Sequence, residues 1–175
     1  MNAMTKNSLK IDHQLEKGTP VFFFAGAIDE SSLLDLKLPT DRPVALDLHS
    51  LVRVNSAGIQ KWIFWTKENL KAKAVSLRRI NPSLARVASI TEGLMPSTWD
   101  IESFYVPYVN ESNSEPEDIL YIRDRHFTAR ELRIPPVVSS TVTQHRLALD
   151  VIPEKYFLFL KMRYPGISII VPPEL

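Results

Sequence analysis

The run Leu48-His49-Ser50-Leu51-Val52-Arg53-Val54-Asn55-Ser56-Ala57-Gly58-Ile59 carries the first clear change of hydrophobic period in the chain. Up to Val54 the apolar side chains are spaced for an extended strand. From Ile59 they fall at Ile59, Trp62, Ile63 and Leu70, one face of a helix, with Lys61, Lys67, Glu68 and Lys71 largely on the other. A strand and a turn therefore deliver Ser56 to the start of an amphipathic helix.

Upstream, Val44 to Leu48 reads as a compact strand. Leu9 to Leu15 alternate apolar and polar residues, and after Gly18-Thr19-Pro20 a denser apolar run covers Val21 to Ile28, which predicts a hairpin of an edge strand and a buried strand. Asp29-Glu30-Ser31-Ser32 leading into Leu33, Leu34 and Leu36 predicts a short helix with acidic and hydroxyl residues in its first turn. Pro39 and Pro43 close that connection.

Downstream, Val75 to Ile80 predicts another strand, and Asn81-Pro82-Ser83 opens a helix on Leu84, Val87 and Ala88 that Gly93 ends. Phe104 to Val109 then reads as a last strand. The expected order is β-β-α-β-α-β-α-β, an α/β fold whose crossover helices imply a mixed, mainly parallel sheet. Composition turns polar and acidic over Asn110 to Asp118, a linker, which divides the chain into a domain at 1–108 and a small β-rich segment at 109–175. About 65 residues are few for an independent core, so the second segment is expected to lean on the first or on another chain.

The turn Asn55-Ser56-Ala57-Gly58 resembles the signature of STAS domains, the regulatory modules that include the bacterial anti-sigma-factor antagonists. Phe24-Ala25-Gly26-Ala27-Ile28-Asp29 is similar to a second conserved segment of that family, and the resemblance extends over about residues 8 to 108. It implies a STAS-like sheet and a protein that acts by binding, with an anti-sigma-factor kinase or another regulator as partner. It also makes Ser56 the phosphoacceptor, and Asn55, Ser56, Ala57, Gly58, Trp62 and Trp65 the partner surface. Asn55 departs from the family, which commonly has aspartate there.

The second segment has a fainter likeness to proteins with a carboxy-terminal zinc ribbon. Asn110 and Asn113 stand where one cysteine pair would lie, and Ser140 and Thr143 where the other would. Amides and hydroxyls are poor zinc ligands beside thiolates, so no metal or other cofactor is expected, and the ribbon survives as packing alone.

Ser56 also has a plainer reading, as the N-cap of its helix. Trp62, Phe64 and Trp65 give that helix more aromatic surface than one buried face absorbs, so at least one should point outward. The histidines His13, His49, His126 and His145 lack ligand spacing, and Asp29 and Asp47 read as turn residues rather than an acid/base pair, so no catalytic residue is assigned.

With 21 basic and 20 acidic side chains, no broad field draws in nucleic acid. No apolar run approaches the roughly 20 residues that span a bilayer, and without cysteine the expected site is cytoplasmic, away from membranes. Monomer and homodimer both stay open. An alternative role is a carrier or sensor of a nucleotide or lipophilic molecule, with a pocket between the central helix and the strands near Phe24 and Ile28.

Overall fold

The computed structural model describes residues 8–72 and 74–173. They form a mixed α/β structure with four helices and three sheets. Strand β1 (Lys10–Glu16) turns back into β2 (Thr19–Ile28) as an antiparallel hairpin. Beside β2, and parallel to it, run first β3 (Pro43–Asp47) and then β4 (Leu51–Val54), so these two short strands act as one interrupted strand along a single long neighbour.

The interruption has a visible cause. Gly26 has φ of 91°, a left-handed conformation that glycine adopts without strain, and the register shifts between Gly26 and Ala27. Its N–H donates to the Ser50 carbonyl at 3.0 Å, which bridges the break between β3 and β4.

Helix α1 (Ser56–Glu68) follows, then β5 (Ala74–Arg78), parallel to β3, and α2 (Pro82–Ile90). Asn81 caps α2 through its Oδ1, which accepts from Leu84 N at 2.9 Å, and Pro82 fills the first helical position, as the sequence signal predicts. Strand β6 (Asp100–Ile101) then closes the edge of the first sheet against β5.

Two expectations are corrected. Residues 33–38 are not helical. Asp29 Oδ1 accepts from the Ser31 N–H and from both serine hydroxyls, and Ser32 Oγ accepts from Asp29 N–H and donates to the Ala27 carbonyl. Lys61 Nζ takes the carbonyls of Glu30 and Ser32 at 2.6 and 2.8 Å. Further on, Trp65 Nε1 takes the Leu36 carbonyl at 2.7 Å, and Asn69 Oδ1 takes the Leu38 N–H at 2.8 Å. The backbone groups a helix would need are bonded elsewhere, so the segment runs irregularly along α1.

The second correction concerns Phe104 to Val109. They lie in β7 (Ser103–Asn110), which enters a separate antiparallel sheet beside β8 (Pro116–Ile122), leaving β6 as the closing strand of the first. One continuous stretch, Asp100 to Asn110, thus passes from the edge of one sheet to the middle of another. The division drawn at residue 108 falls inside β7.

The remaining chain adds β9 (Glu131–Arg133), β10 (Val137–Ser139), β11 (Arg146–Leu149), α3 (Pro153–Tyr156), α4 (Leu158–Arg163) and β12 (Ser168–Ile170). The second sheet has the order β10-β11-β7-β8, and β12 pairs with β9. Its side chains join the same apolar core as the first sheet. Phe104 packs on Tyr121, Phe127, Phe157 and Phe159, while Phe24 meets Trp62 and Trp65, and Trp65 meets Trp99. The expectation that a segment too small for its own core leans on the first is met by this continuous packing.

Asp100 ties the two parts together on the polar side. Burial alone would raise its pKa, but the Tyr164 hydroxyl, donating at 2.7 Å, and the Arg123 and Arg163 guanidiniums outweigh that and hold it below the usual carboxylate value.

A pH dependence follows from His126. Its Nδ1 accepts from Ile122 N–H at 2.9 Å, and burial, with the nearby Arg125 charge, pushes its pKa below the ordinary value. A lowered folded-state pKa means full stabilisation above the unfolded value of about 6.5 and loss as pH falls through the folded value. The denaturant midpoint is expected to decline from pH 7 to pH 5. In His126→Asn, whose amide oxygen accepts the same N–H without titrating, that decline is expected to flatten.

Candidate functional site

The amino terminus of α1 is built by Asn55. Its backbone is extended, with φ −90° and ψ 177°; its Oδ1 accepts from Gly58 N–H at 2.8 Å, and its own N–H donates to the Ile28 carbonyl at 3.2 Å. The N-cap is therefore Asn55, and Ser56, expected in that role, is the exposed first residue of the helix. The structure also supplies a reason for asparagine where aspartate was expected. Asn55 Nδ2 donates to Glu30 Oε2 at 2.9 Å, a bond an aspartate could not make; it would place two carboxylates together instead.

The expected partner surface divides in two. Asn55 and Ala57 are half-buried and Ser56 is exposed, but Gly58, Trp62 and Trp65 are buried. A Cβ on Gly58 would stand 1.9 Å from the Ile28 carbonyl oxygen, so glycine is required by the contact of α1 with β2, not by a partner. Trp62 and Trp65 are 3% and 1% exposed, meet Phe24 edge to face, and spend their indole N–H groups on the carbonyls of Leu94 and Leu36. They are core residues, and they fill the space near Phe24 and Ile28 where a ligand pocket was expected.

The aromatic that points outward is Phe64, 65% exposed. Ser56, Gln60 and Phe64 are four residues apart and form one exposed stripe along α1. Beside it lies a shallow cleft of about 470 Å³ lined by Ser32, Leu34, Gln60, Lys61 and Phe64, with Leu33 exposed in the adjoining loop. The signal was in the sequence: position 64 lies opposite 62, 65 and 69 on the helix wheel, but only packing tells which of three adjacent aromatics faces in.

The residues set aside as chemically bland are locked into local structure. Asp47 Oδ2 pairs with Arg79 Nε at 2.6 Å and its Oδ1 accepts from His49 N–H, while Asp29 organises the serine turn after β2. His49 leans on the Tyr105 ring at 5.2 Å.

Asn110, Asn113, Ser140 and Thr143 lie in two turns of one design. In the first, Asn110 N–H donates to the Glu115 carbonyl, Ser114 N–H returns to the Asn110 carbonyl, and Asn110 Oδ1 accepts from Ser112 N–H at 2.8 Å. In the second, Ser140 N–H donates to His145 O, Gln144 N–H returns to Ser140 O, and Ser140 Oγ accepts from the N–H groups of Val142 and Thr143 at 3.2 and 3.0 Å. The fifth residue of each is left-handed, Ser114 at φ 59° and Gln144 at φ 61°. The turns sit at the same end of the second sheet, because β11 pairs with β7 at Leu147 and Asn110, and Ser140 Oγ donates to Glu117 Oε1 at 2.9 Å. Among the described residues no group of three or more His, Cys, Asp or Glu side chains is placed to hold a metal ion, and no helix is long and apolar enough to cross a membrane.

Gly58→Ala is expected to cost about 1–3 kcal/mol through the clash with Ile28, and Trp65→Ala about 3–5 kcal/mol through the cavity it leaves, both read as lower denaturation midpoints. Phe64→Ala should leave the midpoint nearly unchanged. Comparison of the chain with protein-family models, with curated proteins and with solved structures finds no match.

Proposed function

We propose that this chain is a non-catalytic regulatory module that acts by binding a protein partner, in the manner of the anti-sigma-factor antagonists its STAS-like turn resembles. The observation that carries the reading is the exposed stripe Ser56-Gln60-Phe64 at the start of α1, beside the cleft formed with Ser32 and Leu34. Exposed aromatics anchor interfaces because they bury much area at little entropic cost. The element order supports the STAS-like reading: an antiparallel hairpin, then strands parallel to β2, with α1 entering after the turn at Asn55.

Ser56 is the phosphoacceptor in this proposal. A phosphate there adds about −1.5 to −2 charges to a surface that already carries Glu30, bonded to the neighbouring cap residue. The nearby Lys61 ammonium is occupied by two backbone carbonyls. Phosphorylation therefore adds negative charge at the end of the stripe and switches affinity for the partner, an anti-sigma-factor kinase or another regulator.

Phe64→Glu and Ser56→Asp are expected to abolish capture of a partner that the wild-type chain retains from its own host, with circular dichroism and thermal midpoint unchanged. Undiminished capture by both variants would refute this surface. Mass spectrometry identifies the captured protein, and the proposal requires a kinase or a transcription regulator among those lost.

The second segment is, on this reading, a zinc-ribbon-like element without its metal. Its twin turns support the view, since Asn110 Oδ1 and Ser140 Oγ accept the amide hydrogen bonds that a metal-bound thiolate would otherwise take. The fourfold variant Asn110→Cys, Asn113→Cys, Ser140→Cys, Thr143→Cys is expected to bind one Co²⁺ with the absorption of tetrahedral thiolate ligation. A folded variant that takes up no Co²⁺ would show the two turns to be unrelated to a metal site.

A further inference from the structure

Apart from the stripe, a cleft of about 550 Å³ opens between α2, the end of β11 and α3, within the roughly 300–1,000 Å³ that small-molecule sites occupy. Its lining is mostly apolar: Ile90, Leu149, Val151, Ile152 and the Tyr156 ring. Ile90 and Ile152 are 82% and 57% exposed and both line this one cleft, so their apolar surface is grouped rather than scattered.

Cations share this lining. Arg86, on α2, holds its guanidinium over the Tyr156 ring, with Cζ 5.8 Å from the centroid. Tyr156 is itself immobilised, its hydroxyl donating to the Tyr105 carbonyl at 2.7 Å and its own carbonyl accepting from Ser89 Oγ at 2.7 Å. A guanidinium over a ring face keeps its N–H donors available to a ligand. Lys155 adds a second cation from α3. Among the described residues, neither Arg86 nor Lys155 has a carboxylate within ion-pair distance. The acids nearby are Asp150, in the lining, and Asp118, which faces Arg86 from β8; burial raises the Asp118 pKa, and Arg86 and His49 only partly oppose that.

We propose that this cleft binds a small amphiphile, an alkyl body bearing one carboxylate, with the chain along Ile90, Val151 and Ile152 and the carboxylate at Arg86 and Lys155. Bidentate hydrogen bonding to the guanidinium supplies orientation, and the apolar wall supplies most of the affinity. The site lies apart from the Ser56 stripe and does not depend on the regulatory reading.

Decanoate, used below its micelle concentration, is the probe, with decan-1-ol and decyltrimethylammonium as matched controls in calorimetry and thermal-shift titrations. Decanoate is expected to raise the unfolding midpoint and to bind about tenfold or more tighter than either control. Arg86→Gln with Lys155→Gln should bring decanoate down to the affinity of decanol, and Ile152→Asp should abolish binding, whereas Phe64→Glu should leave it intact. No binding of decanoate, equal binding of all three probes, or an undiminished affinity in Arg86→Gln, Lys155→Gln would overturn the proposal.

Discussion

The contact of α1 with the end of β2 is the constraint on which the first sheet and its exposed surface both depend. Gly58 brings the helix backbone so close to Ile28 that a single added carbon would overlap the carbonyl oxygen, and Asn55 donates its own N–H to that same oxygen. With the helix seated there, Trp62 and Trp65 reach Phe24 and the core, and their indole N–H groups tie down the loops at Leu94 and Leu36. Geometry then leaves the opposite face, Ser56, Gln60 and Phe64, in solvent. The buried and exposed faces of α1 are two consequences of one close approach.

A second dependency runs through the stretch from Asp100 to Asn110. Its first residues complete the first, mixed sheet, and its later ones stand between β8 and β11 in the antiparallel sheet. Sharing a chain segment couples the two sheets mechanically, and the core is continuous across them. The small second segment thereby shares buried area with its neighbour rather than relying on a core of its own. Hydrogen bonds accepted by Asn110 Oδ1 and Ser140 Oγ shape its two turns in the same way.

The parts of this structure that were legible beforehand are those in which a local pattern and the tertiary environment agree. The β1–β2 hairpin, β3, β5, α1 and α2 all follow from hydrophobic period and cap residues. The segment after Ile28 misled because Leu33, Leu34 and Leu36 have helical spacing, while the bonds that override it come from Lys61, Trp65 and Asn69, about 30 residues away. The site was legible in position and not in membership. The turn at Asn55 and Ser56 stands out in the sequence, but of the expected partner surface Gly58, Trp62 and Trp65 are turned inward by packing, and Phe64 takes the exposed place.

The amino-acid sequence by itself determined the β1–β2 hairpin, β3, β5 and the two longer helices, the amphipathic start at Asn55-Ser56-Ala57-Gly58, and the near balance of charge, because each depends on neighbours within a few positions. Only the tertiary structure decided which aromatic of α1 meets solvent, why residue 55 is asparagine, where β7 pairs, and that Arg86 and Lys155 face one apolar cleft. Each of these turns on groups distant in sequence, whose distances to one another are set by the packing of sheets and helices rather than by the local chain.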